Sequence, residues 1–409
     1  MNLIFLSLST MSRINQRGIY ADLMRKFRDE GHNVYIVSPC ERRLKQQTHI
    51  YDVDGVKMLK VWTLNIQKSN IIEKGVGTLL IENQFTKAIK KHLSEVRFDL
   101  ILYSTPPITF PKVITYLKRR NPEAISYLLL KDIFPQNAVD IGLMATSGVK
   151  GILYNYFRNK EKKLYELSDF IGCMSPANVE FVLKYNPEVS ADRVEVAPNS
   201  VELMPELTVS EENAKRQTER SYMRHKYHLP YDKTIFIYGG NLGKPQGIPF
   251  LIECLDANAN REDCYFLVIG SGTELPKLMQ WYDEKRPKSV KVMKGLPKAE
   301  YDELVRTCDV GLIFLDHRFT IPNYPSRLLS YLENKMPVLC ATDPNTDIGK
   351  IAEENGYGYW CESNSVGAFS AILDKMIKAD SKAMGENGYK YLKDNYLVSN
   401  TYNAIVSHV

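Results

Sequence analysis

The sequence predicts an α/β protein made of two doubly wound parallel-sheet domains, and three observations carry that expectation. The chain opens strand, loop, helix, strand over residues 2–37 and restarts with a similar strand at Thr234. Between Asp309 and Ala341 an apolar run, a helix and a second apolar run follow one another, the order in which buried parallel strands are joined. At 409 residues the chain is also too long for one core.

Composition narrows the function classes. A hydrophobic share of 44% with 25% charged residues excludes a disordered majority. The apolar run Leu3–Leu8 is short and has no basic region before it, so neither a signal peptide nor a membrane span is supported and a cytoplasmic protein is expected. Cys40, Cys173, Cys254, Cys264, Cys308, Cys340 and Cys361 are scattered without a Cys-x-x-Cys pair and read as reduced, packed thiols. Residues 1–200 hold 28 Lys/Arg against 20 Asp/Glu, whereas the remainder holds 25 against 28. With no nucleic-acid-binding signature, the basic half fits an anionic membrane surface or a phosphorylated acceptor, and no nucleic acid partner is expected.

In chain order, Asn2–Leu8 reads as a strand, Gly18–Glu30 as a helix closed by Gly31, and Asn33–Val37 as a strand. The loop between the first two lacks G-x-G-x-x-G and carries Arg13, Arg17 and Gly18. Asp52-x-Asp54 superficially matches a metal-binding motif, but Asp54-Gly55 between alternating apolar segments is a hairpin turn, so no metal site is assigned. A helix over about 78–92 is expected to turn Leu79, Leu80, Phe85 and Ile89 toward a core and Lys87, Lys90 and Lys91 outward. Residues 151–167 again mix aromatic residues with Arg158, Lys160, Lys162 and Lys163, a composition that suits either an anionic membrane interface or an ordinary amphipathic surface helix. Asp99–Tyr103, Ile125–Leu130 and Asp169–Met174 read as further strands. Asp132 follows the second of these at the end that binds ligands in α/β sheets, where a carboxylate either accepts a hydroxyl proton, stabilises positive charge, or fixes a loop or helix cap. Residues 205–232 read as linker plus charged helix.

The second half carries the denser chemistry. Strand Thr234–Tyr238 runs into Gly239, Gly240, Asn241 and, a little later, Lys244: glycines admit close backbone approach and the lysine reaches a diphosphate. Strand 264–269 leads into Gly270-x-Gly272, and residues 291–296 form a strand and loop. Pro325 suits a first helical position with Leu328, Leu329 and Leu332 as the apolar face, and Ser326 and Arg327 offer a hydroxyl and a forked cation to phosphate oxygens. Helices are expected at Asp347–Asn355, Val366–Lys378, Ser381–Asn395 and Asn400–His408.

The stretch from Pro325 to Leu339 resembles the Pro-Ser-Lys/Arg helix and following Pro-Val strand of retaining GT-B glycosyltransferases, family 4, and within it the bacterial fucosamine-transferase branch. The segment from Lys131, Val196–Glu202, Gly239–Lys244 and Gly270–Glu274 are similar to that family's motifs at matching places. The chain departs where the family has two glutamates, which Pro322 and Ser330 replace, and where many relatives have histidine in place of Lys131.

The resemblance implies the GT-B fold, with Rossmann-like domains at 1–204 (acceptor) and 205–394 (donor) facing a cleft and a terminal helix at 395–409 returning to the first. It implies retaining, metal-independent transfer, without a cofactor, of a hexose or amino-sugar from a UDP-type nucleotide-diphosphate sugar. The acceptor would be a glycan or polyprenyl-linked sugar in capsule or lipopolysaccharide synthesis, met peripherally on the inner face of the plasma membrane. Asp132, Lys244 and Arg327 would be catalytic, Gly240, Asn241, Gly270, Gly272, Gly295, Leu296, Tyr324, Ser326 and Ser330 would bind the donor, and Arg13, Arg17 and Gly18 would line the acceptor side. Two alternatives stay open: an isomerase of the nucleotide-sugar 2-epimerase type, and a degenerate scaffold subunit of a glycosyltransferase complex, to which the missing glutamates point.

Overall fold

Apolar runs without alternation form strands buried on both faces, and most strands of both sheets of this protein are of that kind. The structure is a computed structural model that describes residues 1–66, 71–203 and 209–409. It divides into one unit of Met1–Glu202 with Leu397–Val409 and another of Leu203–Tyr396. The start of the expected linker and part of the basic segment after Ile66 lie outside the described residues.

The first unit's strands are β1 (Asn2–Leu6), β2 (Asn33–Glu41), β3 (His49–Val53), β4 (Val56–Thr63), β5 (Leu100–Ser104), β6 (Ile125–Leu130), β7 (Phe170–Cys173) and β8 (Val194–Val196). They lie in the order β3-β4-β2-β1-β5-β6-β7-β8. All neighbours pair in parallel except β3 and β4, which form the expected hairpin with positive φ at both Asp54 (52°) and Gly55 (77°). The first helix, Ile19–Asp29, buries Leu23, Met24 and Phe27 against this sheet. The last helix, Val398–Val406, packs on it, with the Tyr402 hydroxyl 2.9 Å from His32 Nε2 and its ring edge-on to Phe27 at 4.9 Å.

One expectation of helix facing fails. The helix runs over Ile71–His92, and its buried stripe is Ile81, Phe85, Ala88 and Ile89, at the i, i+4, i+7, i+8 spacing of a single face. Leu79 and Leu80 fall off that stripe and are 51% and 41% exposed. The helix Gly148–Leu167 likewise exposes Ile152 (71%), Leu153 (51%) and Tyr156 (39%). Among the described residues no helix is long and apolar enough to cross a membrane.

The second unit is a fully parallel sheet of β9 (Thr234–Asn241), β10 (Cys264–Ser271), β11 (Val290–Lys294), β12 (Val310–Phe314), β13 (Val338–Thr342) and β14 (Gly358–Glu362), in the order β11-β10-β9-β12-β13-β14. β14 has no counterpart in the sequence expectations, since Gly-Tyr-Trp-Cys-Glu is a partly exposed edge without an apolar run. Helices Val366–Lys378 and Ser381–Asn395 lie where the sequence places them. The helix after β12 starts at Arg327, so Pro325 precedes it: Leu328 N–H and Leu329 N–H donate to Pro325 and Ser326 carbonyls in a tight i→i+3 turn before the α-helix. All seven cysteines are free and buried.

Candidate active site

In the second unit the carboxyl ends of β9, β10 and β11 converge. Gly240 pairs with Gly270 and Asn241 with Ser271, after which Leu242 N–H donates to Ser271 carbonyl (2.9 Å) and Glu274 N–H to Leu242 carbonyl (2.9 Å). This contact between loops requires glycine. A Cβ on Gly270 would sit 2.1 Å from Gly240 carbonyl oxygen, and one on Gly272 2.3 Å from Leu242 carbonyl oxygen. Gly240 itself has φ 114°, in the region side chains avoid. Gly295, one residue past β11, lies beside Gly270, where a Cβ would meet nothing nearer than 3.8 Å, and Leu296 follows half-buried.

Arg327 reaches this glycine surface from the far side. Its guanidinium lies over the Tyr238 ring, 4.2 Å from the centroid, and its Nη2 is 3.9 Å from where a Gly240 Cβ would be. Its Nη1 is buried with no hydrogen-bond partner. Burial opposes the guanidinium's charge, but Tyr238 and Tyr331 outweigh it and the pKa is raised. The Tyr238 hydroxyl donates to Asn241 carbonyl (2.9 Å), so one residue both supports the arginine and fixes the loop. Gln246 closes that loop, its Oε1 accepting from Asn241 Nδ2 (3.0 Å) and Gly243 N–H (3.1 Å). Lys244, at the start of a 3₁₀ turn, is exposed.

Ser326 is exposed ahead of the helix and Ser330 lies half-buried one turn further on. The Tyr324 hydroxyl is hydrogen-bonded to Tyr396. Gly240, Asn241, Gly270, Gly272, Gly295 and Arg327 are thus brought together, while Tyr324 commits its hydroxyl elsewhere. Tyr238 is the residue that sequence reasoning missed, and Gln246, which the resemblance places nearest the family's lysine, closes the loop instead. Tyr238 directly precedes the double glycine, but nothing in the sequence shows that its ring turns under Arg327.

In the first unit Asp132 follows β6 at the carboxyl edge. The Thr105 hydroxyl accepts from Lys131 N–H (3.0 Å) and Asp132 N–H (3.3 Å) and donates to Asp132 carbonyl (3.2 Å). The Asp132 carboxylate accepts from Asn137 Nδ2 (2.7 Å), and the following helix, Gln136–Asp140, has no side-chain cap. Asp132 is therefore not a helix cap. Burial pushes its carboxyl up to about 6. Lys131 Nζ donates to Ala197 carbonyl (2.8 Å), and burial pushes the amine down to about 7. Asn137 Oδ1 and Asn199 Oδ1, close in sequence to Asp132 and Ala197, are buried without partners.

Arg13, Arg17 and Gly18 belong to the loop after β1, away in sequence and strand position from Asp132. Arg17 Nη2 donates to Glu202 carbonyl (2.8 Å), Gly18 N–H donates to Asp22 Oδ1 (3.0 Å), and Arg13 lies 4.0 Å from Asp54. Asp54 in turn accepts from Ile14 N–H and Asn15 N–H, both at 3.1 Å, while Asp52 pairs with Lys57 at 3.0 Å. Both carboxylates of the Asp-x-Asp motif are thus held by the protein's own groups.

Residues 219–391 match the family described as Glycosyl transferases group 1. The chain is 23% identical over 349 residues, 80% of its length and 78% of the relative's, to the probable glycosyltransferase WbjE of Pseudomonas aeruginosa. Among solved structures it is similar to WaaG, a glycosyltransferase involved in lipopolysaccharide biosynthesis (TM-score 0.64, 13% identity, 98% of this chain and 99% of that one). It is similar too to Anabaena HepE in complex with UDP (TM-score 0.68, 13% identity, 100% and 99%). The two parallel-sheet units therefore have the GT-B fold.

Proposed function

We propose, from the premise that residues 219–391 form a group 1 glycosyltransferase domain, that the protein transfers a hexose or amino-sugar from a UDP-linked donor, with retention, to a glycan or polyprenyl-linked acceptor in bacterial surface polysaccharide synthesis. The observation that carries this reading is the Arg327 guanidinium, stacked on Tyr238 beside the Gly240 backbone with Nη1 buried and unpartnered. A buried donor without an acceptor is costly, and a phosphate oxygen at that place supplies one.

In the reaction the bond between the sugar's anomeric carbon and the diphosphate oxygen breaks, the acceptor hydroxyl oxygen forms the new bond to that carbon, and the hydroxyl proton passes to an oxygen of the departing diphosphate. The leaving diphosphate gathers negative charge, which Arg327, exposed Lys244 and the backbone N–H groups of the glycine loops stabilise more in the transition state than in the bound donor. In the first unit, the Asp132 carboxylate at the carboxyl edge of the sheet accepts a hydrogen bond from the acceptor hydroxyl. The UDP assignment draws support from the nucleotide in the similar HepE structure, and the polysaccharide assignment from the WaaG description.

Peripheral attachment to an anionic membrane belongs to the same reading. The helices Ile71–His92 and Gly148–Leu167 each carry the chain back between parallel strands, so they run in the same direction, tied by the Lys160–Glu82 ion pair at 2.8 Å. The exposed Val76, Leu79, Leu80, Ile152, Leu153 and Tyr156 thus lie in the amino-terminal halves of these helices, the halves nearer the carboxyl edge of the sheet that carries Asp132. The test of the transferase reading is donor turnover by the full chain with and without excess chelator: sugar release from a UDP-sugar that persists in chelator supports charge stabilisation by Arg327 and Lys244, turnover restored only by added Mg²⁺ or Mn²⁺ refutes metal independence, and no turnover in either condition refutes the transferase reading.

A further inference from the structure

We propose that the first unit holds a second binding site, an open cavity of about 430 Å³ at the carboxyl end of β2, floored by the Lys60 ammonium, that takes an anionic sugar, one bearing a carboxylate or a phosphate. The sheet register builds it. Lys60 of β4 pairs with Ser38 of β2 and His49 of β3, and Tyr51 pairs with Met58, so these side chains share one face, with Cys40 two residues beyond Ser38 on the same side. Thr10 and Ser12, from the loop after β1, line the mouth with Leu44 and Gln46.

Lys60 is the reason to expect an anion. It is only 7% exposed, and its Nζ donates to Ser38 Oγ (2.8 Å) and to Met11 carbonyl. An ammonium has three donors, so one remains for the cavity. Among the described residues no carboxylate forms an ion pair with it, and burial pushes the amine down to about 8. A desolvated cation without a counter-charge is stabilised by any anion that enters. The walls select a sugar rather than a bare ion. His49 and Tyr51, stacked on each other with centroids 5.5 Å apart and planes 20° apart, both line the cavity and give apolar ring surface for the C–H groups of a pyranose, while Thr10, Ser12 and Gln46 offer hydroxyl and amide partners. The volume lies in the ~300–1,000 Å³ range of small-molecule sites. That this ligand is the acceptor rests on the transferase reading; that it binds does not.

The test titrates the full chain by calorimetry with glucuronate, glucose 6-phosphate, glucose and inorganic phosphate, each repeated on Lys60→Met and Thr10→Asp. Thr10 is exposed, so its substitution places a negative charge at the mouth without disturbing the buried hydrogen bonds. The expected result is that a charged sugar binds at least tenfold tighter than glucose and inorganic phosphate, and that each variant loses at least tenfold while UDP affinity is unchanged. Preference for glucuronate identifies the carboxylate as the anion, and preference for glucose 6-phosphate the phosphate. No binding of either charged sugar, equal binding of glucose or of inorganic phosphate, or unchanged binding in a folded variant would overturn the proposal. Failure of UDP to bind while a charged sugar does would remove the transferase reading and leave this site standing.

Discussion

Tyr238 holds Arg327 by its ring and the Gly239–Asn241 loop by its hydroxyl, with 4.2 Å between guanidinium and ring centroid and 2.9 Å between hydroxyl and Asn241 carbonyl. The two contacts are separable. Tyr238→Phe keeps the ring and frees the loop, whereas Tyr238→Leu removes the cation–π contact, worth about 0.5–2 kcal/mol. Tyr238→Leu is expected to raise the donor KM at least several-fold and Tyr238→Phe less, which steady-state kinetics over a range of UDP-sugar concentrations will read.

The glycines separate by geometry. Gly270→Ala and Gly272→Ala drive a Cβ to within 2.1 and 2.3 Å of backbone oxygens, so both are expected to destabilise the second unit by about 2 kcal/mol or more and to abolish UDP binding. Gly295→Ala meets nothing closer than 3.8 Å and is expected to melt within about 1 kcal/mol of the parent. Thermal unfolding of the three variants with and without UDP is the measurement.

Asp132 sets a pH dependence. Its folded carboxyl titrates at about 6, above the ordinary value of about 3.9, so the folded chain holds the proton more tightly. The group therefore favours the fold at pH below about 4, and that advantage is lost as pH rises through about 6. Asp132→Asn is expected to stabilise the chain at pH 7 by about 1–3 kcal/mol and not at pH 4, while removing transfer activity. In the parent, kcat/KM is expected to rise with pH through about 6, following the carboxylate. Denaturant melts and rates from pH 4 to 8 will check both signs.

How much the sequence reveals follows from what each residue depends on. Most strands of both sheets, the Asp54–Gly55 hairpin and helices such as Val366–Lys378 are legible because apolar runs, turn residues and helical spacing are local signals, whereas β14 lacks an apolar run. The Gly270-x-Gly272 turn is legible as glycine, but its cause, the Gly240 and Leu242 carbonyls against it, is not, since those atoms come from another strand. Tyr238 under Arg327 and Gln246 across the Asn241 loop are invisible for the same reason. Leu79 and Leu80 misled because an apolar pair implies a core only when it lies on the stripe that Ile81, Phe85 and Ile89 define.

The exposed apolar turns bear on membrane attachment. Wild type is expected to co-sediment with anionic but not neutral vesicles, more weakly at high salt, and Leu79→Ser with Leu80→Ser and Ile152→Ser to lose most of that binding without a change in melting temperature. Equal indifference of wild type to both vesicles at low salt would point to an acceptor free in solution.

UDP binding to the full chain, measured by calorimetry in wild type and Arg327→Met, tests the central claim most directly. The account predicts that UDP binds wild type and that Arg327→Met, folded by its thermal melt, loses about 10- to 100-fold in affinity, the worth of a charge-assisted phosphate contact of ~1.5–3 kcal/mol. Absence of UDP binding to wild type, or equal affinity in Arg327→Met, would contradict it.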